Sequence, residues 1–176
     1  LKINLKMQIK EIESFISKVP DYPKPGILFY DISTLLSNSD AFKSSVNELE
    51  KLCSKYEFDL IAGIDARGFI FGSALSCKLN KGFIMIRKEN KLPGDTISFE
   101  YELEYGKDIL EVNVKLDKKK VLLVDDLLAT GGTAEAASNL IKKSGGSVSC
   151  FVALIELDFL KGREKLVTHV ESLIHY

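Results

Sequence analysis

The chain has 176 residues, of which 45% are hydrophobic and 28% charged, and its formal net charge is −1. This length and composition predict a single globular domain over residues 1–176 with a sizeable core. The near-zero charge excludes a general electrostatic attraction to nucleic acid or anionic membranes. No apolar run approaches the roughly 20 residues of a membrane span, and no signal peptide is visible. Three scattered cysteines (Cys53, Cys77 and Cys150) favour reduced core thiols. We therefore expect a cytoplasmic protein that binds neither membranes nor nucleic acid.

Residues 1–26 predict a helix and a stiff connector. Apolar residues recur at helical spacing from Ile9 to Val19, so we expect an amphipathic helix over residues 6–19. Three prolines between positions 20 and 25 end this helix and favour an extended chain. After a short apolar run, Ser39 or Asp40 can cap a second helix that reaches about Lys55.

The remainder alternates buried strands with helical patterns, which predicts an α/β fold. Strands are expected at 60–64, 82–86, 121–124 and 148–157. Helices are expected at 69–79, after the loop that follows Val124 as far as about residue 143, and at 160–166. Such an order is typical of a mostly parallel, doubly wound sheet flanked by helices, whose ligand lies at the carboxyl ends of the strands. The loops after Ile64, Ile86 and Val124 are therefore the expected site.

A basic loop and a hairpin interrupt this alternation over residues 87–113. Residues 96–105 alternate strictly between apolar and polar side chains, and a second strand returns over 109–114, with Gly106–Lys107 as the expected turn. Three carboxylates share the polar face, and periodicity alone does not choose among them: Glu100, Glu102 and Glu104.

The run Val121–Thr133 is the most informative part of the chain. Four apolar residues predict a buried strand, Asp125 and Asp126 stand where it should end, and a loop rich in glycine and threonine leads into a helix. Helix-start N–H groups bind phosphate, and the carboxylates can accept ribose hydroxyls or face a hydrated Mg²⁺. The run has neither the lysine of a Walker loop nor dinucleotide glycine spacing. Its parts taken singly indicate only a nucleotide site on an α/β fold.

Two further polar segments fall at the expected site. Arg67 follows a buried strand and precedes an apolar helix, so it is either a surface charge or a clamp for pyrophosphate. Residues 87–94 hold three cations in a loop, which is either a solvated surface or a basic lid over a polyanionic ligand.

The run Val121–Thr133 resembles the phosphoribosyl-pyrophosphate signature of the type I phosphoribosyltransferase family. Further segments resemble the branch of that family that uses adenine: residues 21–33, 62–69, 86–94, 103–107 and 156–166. The resemblance runs in order from about Phe15 to Leu166, which is most of the chain. It implies the type I phosphoribosyltransferase fold with a hairpin flap, and transfer of the 5-phosphoribosyl group from phosphoribosyl pyrophosphate to N9 of adenine, giving AMP and pyrophosphate in purine salvage.

The resemblance also implies roles for single residues. The 5′-phosphate would be bound by the loop of Ala129, Thr130, Gly131, Gly132 and Thr133. The ribose hydroxyls would be bound by Asp125 and Asp126, and pyrophosphate by Arg67 and Lys91. Four further residues would also contact the donor: Asp65, Ala66, Arg87 and Lys88. The adenine would contact Leu28, Phe29, Tyr30 and Leu127. The implied catalytic residues are Glu104, which acts as an acid–base group on the purine, Arg67 and Lys91. The Asp65–Ala66 peptide bond is expected to be cis.

Cofactor and assembly are implied in the same way. Mg²⁺ would be carried by the donor, reaching Asp125 through water and not held directly by the protein. The chain would form a homodimer in which Arg87 reaches the neighbouring site. One position departs from the family, because Tyr30 stands where a basic residue is expected. Two alternatives remain: a type I enzyme for another base (hypoxanthine, guanine, xanthine or orotate), or a non-catalytic regulator that binds nucleotides.

Overall fold

The computed structural model describes residues 7–103 and 106–176, and for Leu103 the backbone only. The chain divides into two compact units, Leu1–Glu48 and Leu49–Tyr176. A single domain over residues 1–176 stays a prediction. Among the described residues, no helix is long and apolar enough to cross a membrane.

The first unit contains a small hairpin where a long helix was expected. The helix α1 covers only Ile9–Glu13, and the strand β1 (Ser17–Pro20) pairs antiparallel with β2 (Leu28–Asp31). The predicted helix over residues 6–19 is therefore wrong beyond its first turns, and Lys6 lies outside the described residues. Pro20 disfavours helical backbone at the residue before it. Val19 is instead extended and pairs with Phe29 in the antiparallel ladder. A short helix, α2 (Ser33–Ser37), follows β2.

The helix α3 (Ser39–Cys53) begins in the first unit and ends in the second, close to its predicted bounds. In the second unit the strands are β3 (Leu60–Ile64), β4 (Gly82–Lys88), β5 (Ile97–Leu103), β6 (Gly106–Val112), β7 (Lys120–Leu128), β8 (Ser147–Glu156) and β9 (His169–His175). The helices α4 (Gly68–Leu79) and α5 (Gly132–Lys143) connect strands of this sheet. Both helices lie close to their predicted positions.

The sheet has the order β5-β6-β4-β3-β7-β8-β9. Strands β4, β3, β7, β8 and β9 are parallel, whereas β6 joins β4 and β5 antiparallel. A mostly parallel α/β sheet with a hairpin at one edge is therefore confirmed. Because the parallel strands are covered on both faces, β7 and β8 are almost continuous apolar runs, and Val121–Val124 is fully buried.

Three details of the sheet differ from the sequence-based expectations. Strand β7 continues to Leu128, so the paired carboxylates lie within the strand and not after it. Gly106 already pairs with Leu103, so the strand β6 begins where a turn was predicted. The expected helix at 160–166 is two short 3-10 segments, Asp158–Leu160 and Gly162–Lys165, and the edge strand β9 was not predicted.

The three cysteines are free thiols. Cys53 and Cys150 are buried as expected, but Cys77 is exposed on α4, so the prediction of a core thiol is wrong there. Burial raises the pKa of Cys53 to about 11 and that of Cys150 to about 12. Both thiols are therefore protonated at neutral pH and act as small apolar side chains.

Candidate active site

A cavity of about 340 Å³ opens at the carboxyl ends of β3, β4 and β7. Its walls come from the loop that follows β3, the end of β4, the run from Asp125 to Ala134, and two strands of the edge hairpin. The structure thus brings together the segments after Ile64 and Val124, whereas the segment after Ile86 contributes Lys88 alone. The predicted site residues that line it are Asp65, Ala66, Arg67, Lys88, Asp125, Asp126, Leu127, Ala129, Thr130, Gly131, Gly132 and Thr133.

The loop between β7 and α5 is shaped to receive an anion. Gly131 precedes the helix in the left-handed region with φ +82°, which glycine adopts without strain. It has no side chain with which to cap the first turn, so helix-start N–H groups remain available to a ligand. A Cβ built on Gly132 would meet nothing within 4 Å. The space beside the loop is therefore open.

Close packing at Gly68 places Arg67 beside the acidic pair. A Cβ on Gly68 would lie 2.6 Å from the carbonyl oxygen of Val124, so only glycine lets α4 start this close to β7. At the start of α4, Arg67 Nε lies 3.0 Å from Asp126 Oδ2. The Asp126 backbone N–H donates to Asp125 Oδ1 at 2.8 Å. The Asp65–Ala66 peptide bond just before Arg67 is cis, as expected.

The environment of the two carboxyl groups disfavours their ionised forms. Burial, and secondly the neighbouring Asp126, raise the pKa of Asp125 well above its ordinary value. Burial also raises the pKa of Asp126, although the Arg67 guanidinium opposes the shift. A buried acid beside a partly buried one is costly to ionise without a counter-ion or hydrogen-bond donors. The pair is therefore suited to a ligand that supplies hydroxyl groups or positive charge.

Two cavity residues, Tyr101 and Asp108, were missed by the sequence analysis. Lys88 Nζ lies 2.9 Å from Asp108 Oδ2, and the Tyr101 hydroxyl lies 3.3 Å from the same oxygen and also interacts with Thr133. The hydrogen bond with Asp108 raises the pKa of Lys88. Burial raises the pKa of Asp108, but Lys88 outweighs it and the net shift is downward. No spacing signal marked either residue, because both face the cavity only once the hairpin strands are paired.

Other predicted residues lie elsewhere. Arg87 Nε donates to Asp65 Oδ2 at 3.0 Å, Arg87 Nη1 donates to the Lys91 carbonyl at 3.3 Å, and the guanidinium carbon lies 5.9 Å from the centre of the Phe69 ring. Neither Arg87 nor Lys91 lines the cavity, whereas Lys88 does. Glu104 lies outside the described residues.

The residues expected to contact the base belong to the first unit, apart from Leu127. Leu28 is exposed, Phe29 is half-buried, and the Phe29 ring lies 5.1 Å from that of Tyr22 in an edge-on arrangement. Tyr30 is only 6% exposed and pairs with Lys18 across the hairpin. The side chain that departs from the family pattern is thus buried.

A parallel sheet with an uncapped glycine loop, paired acids and a basic residue at its carboxyl edge defines the type I phosphoribosyltransferase class. Residues 34–173 match the family model described as a phosphoribosyl transferase domain. The adenine phosphoribosyltransferase of Koribacter versatilis is 49% identical over 94% of this chain and 92% of its own. The adenine phosphoribosyltransferase of Acidiphilium cryptum is 47% identical over 94% of this chain and 98% of its own. The chain belongs to the adenine phosphoribosyltransferase family.

Solved structures give the same result. The adenine phosphoribosyltransferase of Thermoanaerobacter pseudethanolicus superposes with a TM-score of 0.93 at 46% identity, over 96% of this chain and 100% of that one. The adenine phosphoribosyltransferase of Saccharomyces cerevisiae gives a TM-score of 0.87 at 36% identity, over 94% of this chain and 97% of that one. That structure is a complex with adenine and an imino-altritol bisphosphate. The type I phosphoribosyltransferase fold is therefore confirmed.

Proposed function

We propose that this protein transfers the 5-phosphoribosyl group from phosphoribosyl pyrophosphate to N9 of adenine, forming AMP and pyrophosphate. The main support within the structure is the open, uncapped loop at Gly131–Gly132 directly beside the carboxylates of Asp125 and Asp126. A ligand that carries a phosphate a few bonds from vicinal hydroxyls matches this pair of features. The family membership supports adenine as the acceptor.

The donor would lie along the cavity with its 5′-phosphate on Ala129–Thr133. Asp125 and Asp126 accept the ribose hydroxyls, which relieves the repulsion between them. Arg67, at the start of α4, faces the pyrophosphate, and Lys88 supplies a second cation from the end of β4. Because the 5′-phosphate is remote from the reacting bond, its binding energy can hold the donor in the geometry of attack.

The chemistry of the cavity fits Mg²⁺, whose preferred ligands are oxygens. The carboxylates on its walls are Asp65, Asp108, Asp125 and Asp126, and Asp125 would contact the ion through water. Bound with the donor, the ion would supply positive charge next to the pyrophosphate. Over the described residues, three side chains able to ligate a metal converge at Glu156, Asp158 and His175, which do not line the cavity.

In the reaction, the bond from C1 to pyrophosphate breaks and the bond from C1 to N9 of adenine forms. Positive charge grows at C1 while negative charge grows on the leaving group, which Arg67, Lys88 and Lys91 stabilise. Lys91 belongs to the loop that follows β4, where its carbonyl is held by Arg87. The adenine N9 proton passes to a base, and we assign that role to Glu104.

On the family resemblance, base recognition is assigned to the side chains of Phe29 and Leu127 and to backbone groups of Leu28 and Tyr30. The burial of Tyr30 supports a backbone role for this position, since its side chain is occupied in packing. Under this assignment, tyrosine in place of a basic residue leaves adenine recognition intact.

The remaining parts of the proposal concern assembly and setting. We assign a homodimer in which Arg87 contributes to the partner's site; within its own chain Arg87 binds Asp65. The protonated, unpaired thiols are consistent with a reducing, cytoplasmic setting. The biological role would be purine salvage.

The test of this function is pyrophosphate release from the purified protein with Mg²⁺ and phosphoribosyl pyrophosphate, with adenine, hypoxanthine, guanine and orotate assayed in parallel. We expect release with adenine together with formation of AMP. Release with another base would overturn the assignment of the base pocket. Donor binding without release for any base would favour the non-catalytic regulator.

Glu104→Gln is expected to lower kcat by about 10²–10⁴-fold, the usual contribution of a general base, while the donor Kd stays the same. Glu102→Gln is the matched control, because Glu102 is an exposed carboxylate of the same hairpin. Steady-state kinetics and calorimetric donor titration give the two quantities. Equal kcat values for the two variants would remove Glu104 from the mechanism.

Asp108→Asn is expected to tighten binding of pyrophosphate in the presence of Mg²⁺. The substitution removes a negative charge from the cavity and frees Lys88 from its ion pair. Such pairs contribute about 0.2–1 kcal/mol, so Kd should fall by about 1.4- to fivefold, and less at high salt. Glu100→Gln is the control, since Glu100 pairs with Lys107 on the same hairpin outside the cavity wall. An equal change in both variants would contradict a local effect.

A further inference from the structure

The strand β8 fixes a buried carboxylate next to the phosphate-receiving loop. Glu156, the last residue of β8, pairs with Leu128, the last residue of β7. The next residue, Leu157, donates its N–H to the Leu128 carbonyl at 2.9 Å. Ala129, which begins the loop, follows Leu128 directly. The backbone of Glu156 is thus held in register with the point where the loop starts.

The Glu156 carboxylate is bound by a single arginine in a bidentate arrangement. Arg163 Nε donates to Glu156 Oε1 and Arg163 Nη2 donates to Oε2, both at 2.6 Å. Glu156 is 1% exposed. A buried carboxylate without its partner is strongly unfavourable, whereas paired guanidinium contacts of this kind fix both distance and orientation. Arg163 is therefore held firmly at this place.

The residue before Arg163 touches the loop through its backbone. A Cβ built on Gly162 would collide with the Ala129 carbonyl oxygen, and a Cβ built on Gly131 would collide with the Gly162 carbonyl oxygen. The two backbone segments are in contact without room for a methyl group on either side. A shift of Gly162 toward the loop would therefore displace Ala129 and Gly131, and a shift away would remove a contact that limits the loop's shape.

We propose that Arg163 and Glu156 are positioning residues for the 5′-phosphate: their ion pair presses Gly162 against Ala129 and Gly131 and so keeps the loop in the shape that receives the anion. Neither side chain lines the cavity. The inference rests on the proposed function, because it assumes that this loop binds the 5′-phosphate.

The surrounding groups do not favour a cation site at the same carboxylate. Asp158 Oδ1 lies 2.9 Å from His175 Nδ1, and that nitrogen lies 4.0 Å from Glu156 Oε2. These three side chains could surround a metal by distance alone. Both oxygens of Glu156 are already used by a guanidinium, which a bound cation would have to displace. The ion pair with Arg163 is therefore the function of Glu156 that the contacts support.

The test compares the affinities of two fragments of the donor. Ribose 5-phosphate needs the loop, whereas pyrophosphate with Mg²⁺ needs the cationic end of the cavity. In Arg163→Ala we expect the Kd of ribose 5-phosphate to rise by about tenfold or more, since small displacements of positioning contacts have effects of this size. The Kd of pyrophosphate should change less than about twofold, a negligible free-energy difference. The KM for the donor should rise more than kcat falls.

Arg163→Lys keeps the charge but loses the bidentate geometry, so it should weaken ribose 5-phosphate binding by an intermediate factor. It also serves as the folded variant if Arg163→Ala does not fold. Lys165→Ala is the matched control, because Lys165 is an exposed cation of the same 3-10 segment.

Unchanged ribose 5-phosphate binding in a folded Arg163 variant would overturn the inference, as would equal weakening of both fragments. Wild-type protein that binds ribose 5-phosphate, but releases no pyrophosphate from phosphoribosyl pyrophosphate with any of the four bases, would overturn the proposed function alone. If the wild type did not bind ribose 5-phosphate, the loop assignment and the inference would both be wrong.

Discussion

Gly131→Val is expected to lower the free energy of unfolding by about 2–5 kcal/mol and to abolish donor binding. A left-handed backbone costs a residue with a Cβ about 1–2 kcal/mol, and forcing extra atoms into a packed place costs about 1–3 kcal/mol more. Both apply here, because Gly131 has φ +82° and its Cβ direction meets the Gly162 carbonyl. Chemical denaturation and calorimetric titration with phosphoribosyl pyrophosphate measure the two effects.

A variant of the neighbouring glycine, Gly132→Ala, distinguishes a loss of stability from a loss of donor binding. A Cβ on Gly132 meets no protein atom, so Gly132→Ala should leave the fold intact, with a change of at most about 1 kcal/mol in either direction. Its methyl group would nevertheless occupy space beside the loop, so donor affinity should fall. If Gly132→Ala bound the donor as tightly as the wild type, this loop would not be the phosphate site.

Asp125→Asn is expected to reduce kcat/KM by about 10- to 100-fold while making the protein more stable at neutral pH. The amide keeps the shape and can still accept the Asp126 N–H, but it loses the charged acceptor for a ribose hydroxyl. Hydrogen bonds to charged groups contribute about 1.5–3 kcal/mol, which corresponds to this change in rate. Steady-state kinetics at varied donor concentration measure the loss.

The stability gain has a definite pH dependence. The pKa of Asp125 in the folded protein is raised, so the folded state binds this proton more tightly than the unfolded state does. Ionisation therefore lowers stability as the pH rises above the ordinary aspartate pKa of about 3.9. The Tm of Asp125→Asn should exceed that of the wild type at pH 7, and the difference should vanish near pH 4. A constant difference across this range would contradict the raised pKa.

The sheet and the loop were predictable because their signals are local. Val121–Val124 is apolar throughout since both faces of a central parallel strand are covered, and Gly131–Gly132 marks a place where a side chain does not fit or would fill the cavity. Helix α4 follows from its apolar run alone. The cis bond at Asp65–Ala66 came from the family resemblance, since no residue pattern predicts a cis bond before alanine.

Other features depend on contacts between distant segments. The spacing from Ile9 to Val19 suits a helix, yet pairing with β2 makes residues 17–20 a strand. Tyr101 and Asp108 enter the cavity wall only through the register of β5 and β6, which sequence alternation does not determine. The extension of β7 to Leu128 likewise depends on its ladder with β8.

The residues that line the cavity all belong to the unit after Glu48, whereas three of the four assigned base contacts (Leu28, Phe29 and Tyr30) belong to the unit before it. Under this assignment, most contacts to the acceptor base come from a stretch of the chain separate from the donor loop, with Leu127 as the exception. Because Leu28 and Tyr30 are assigned through their backbone groups, Phe29 is the side chain of that stretch whose replacement should alter the choice of base. A library randomised at codon 29 should therefore yield variants with changed acceptor affinity that retain the parental affinity for phosphoribosyl pyrophosphate.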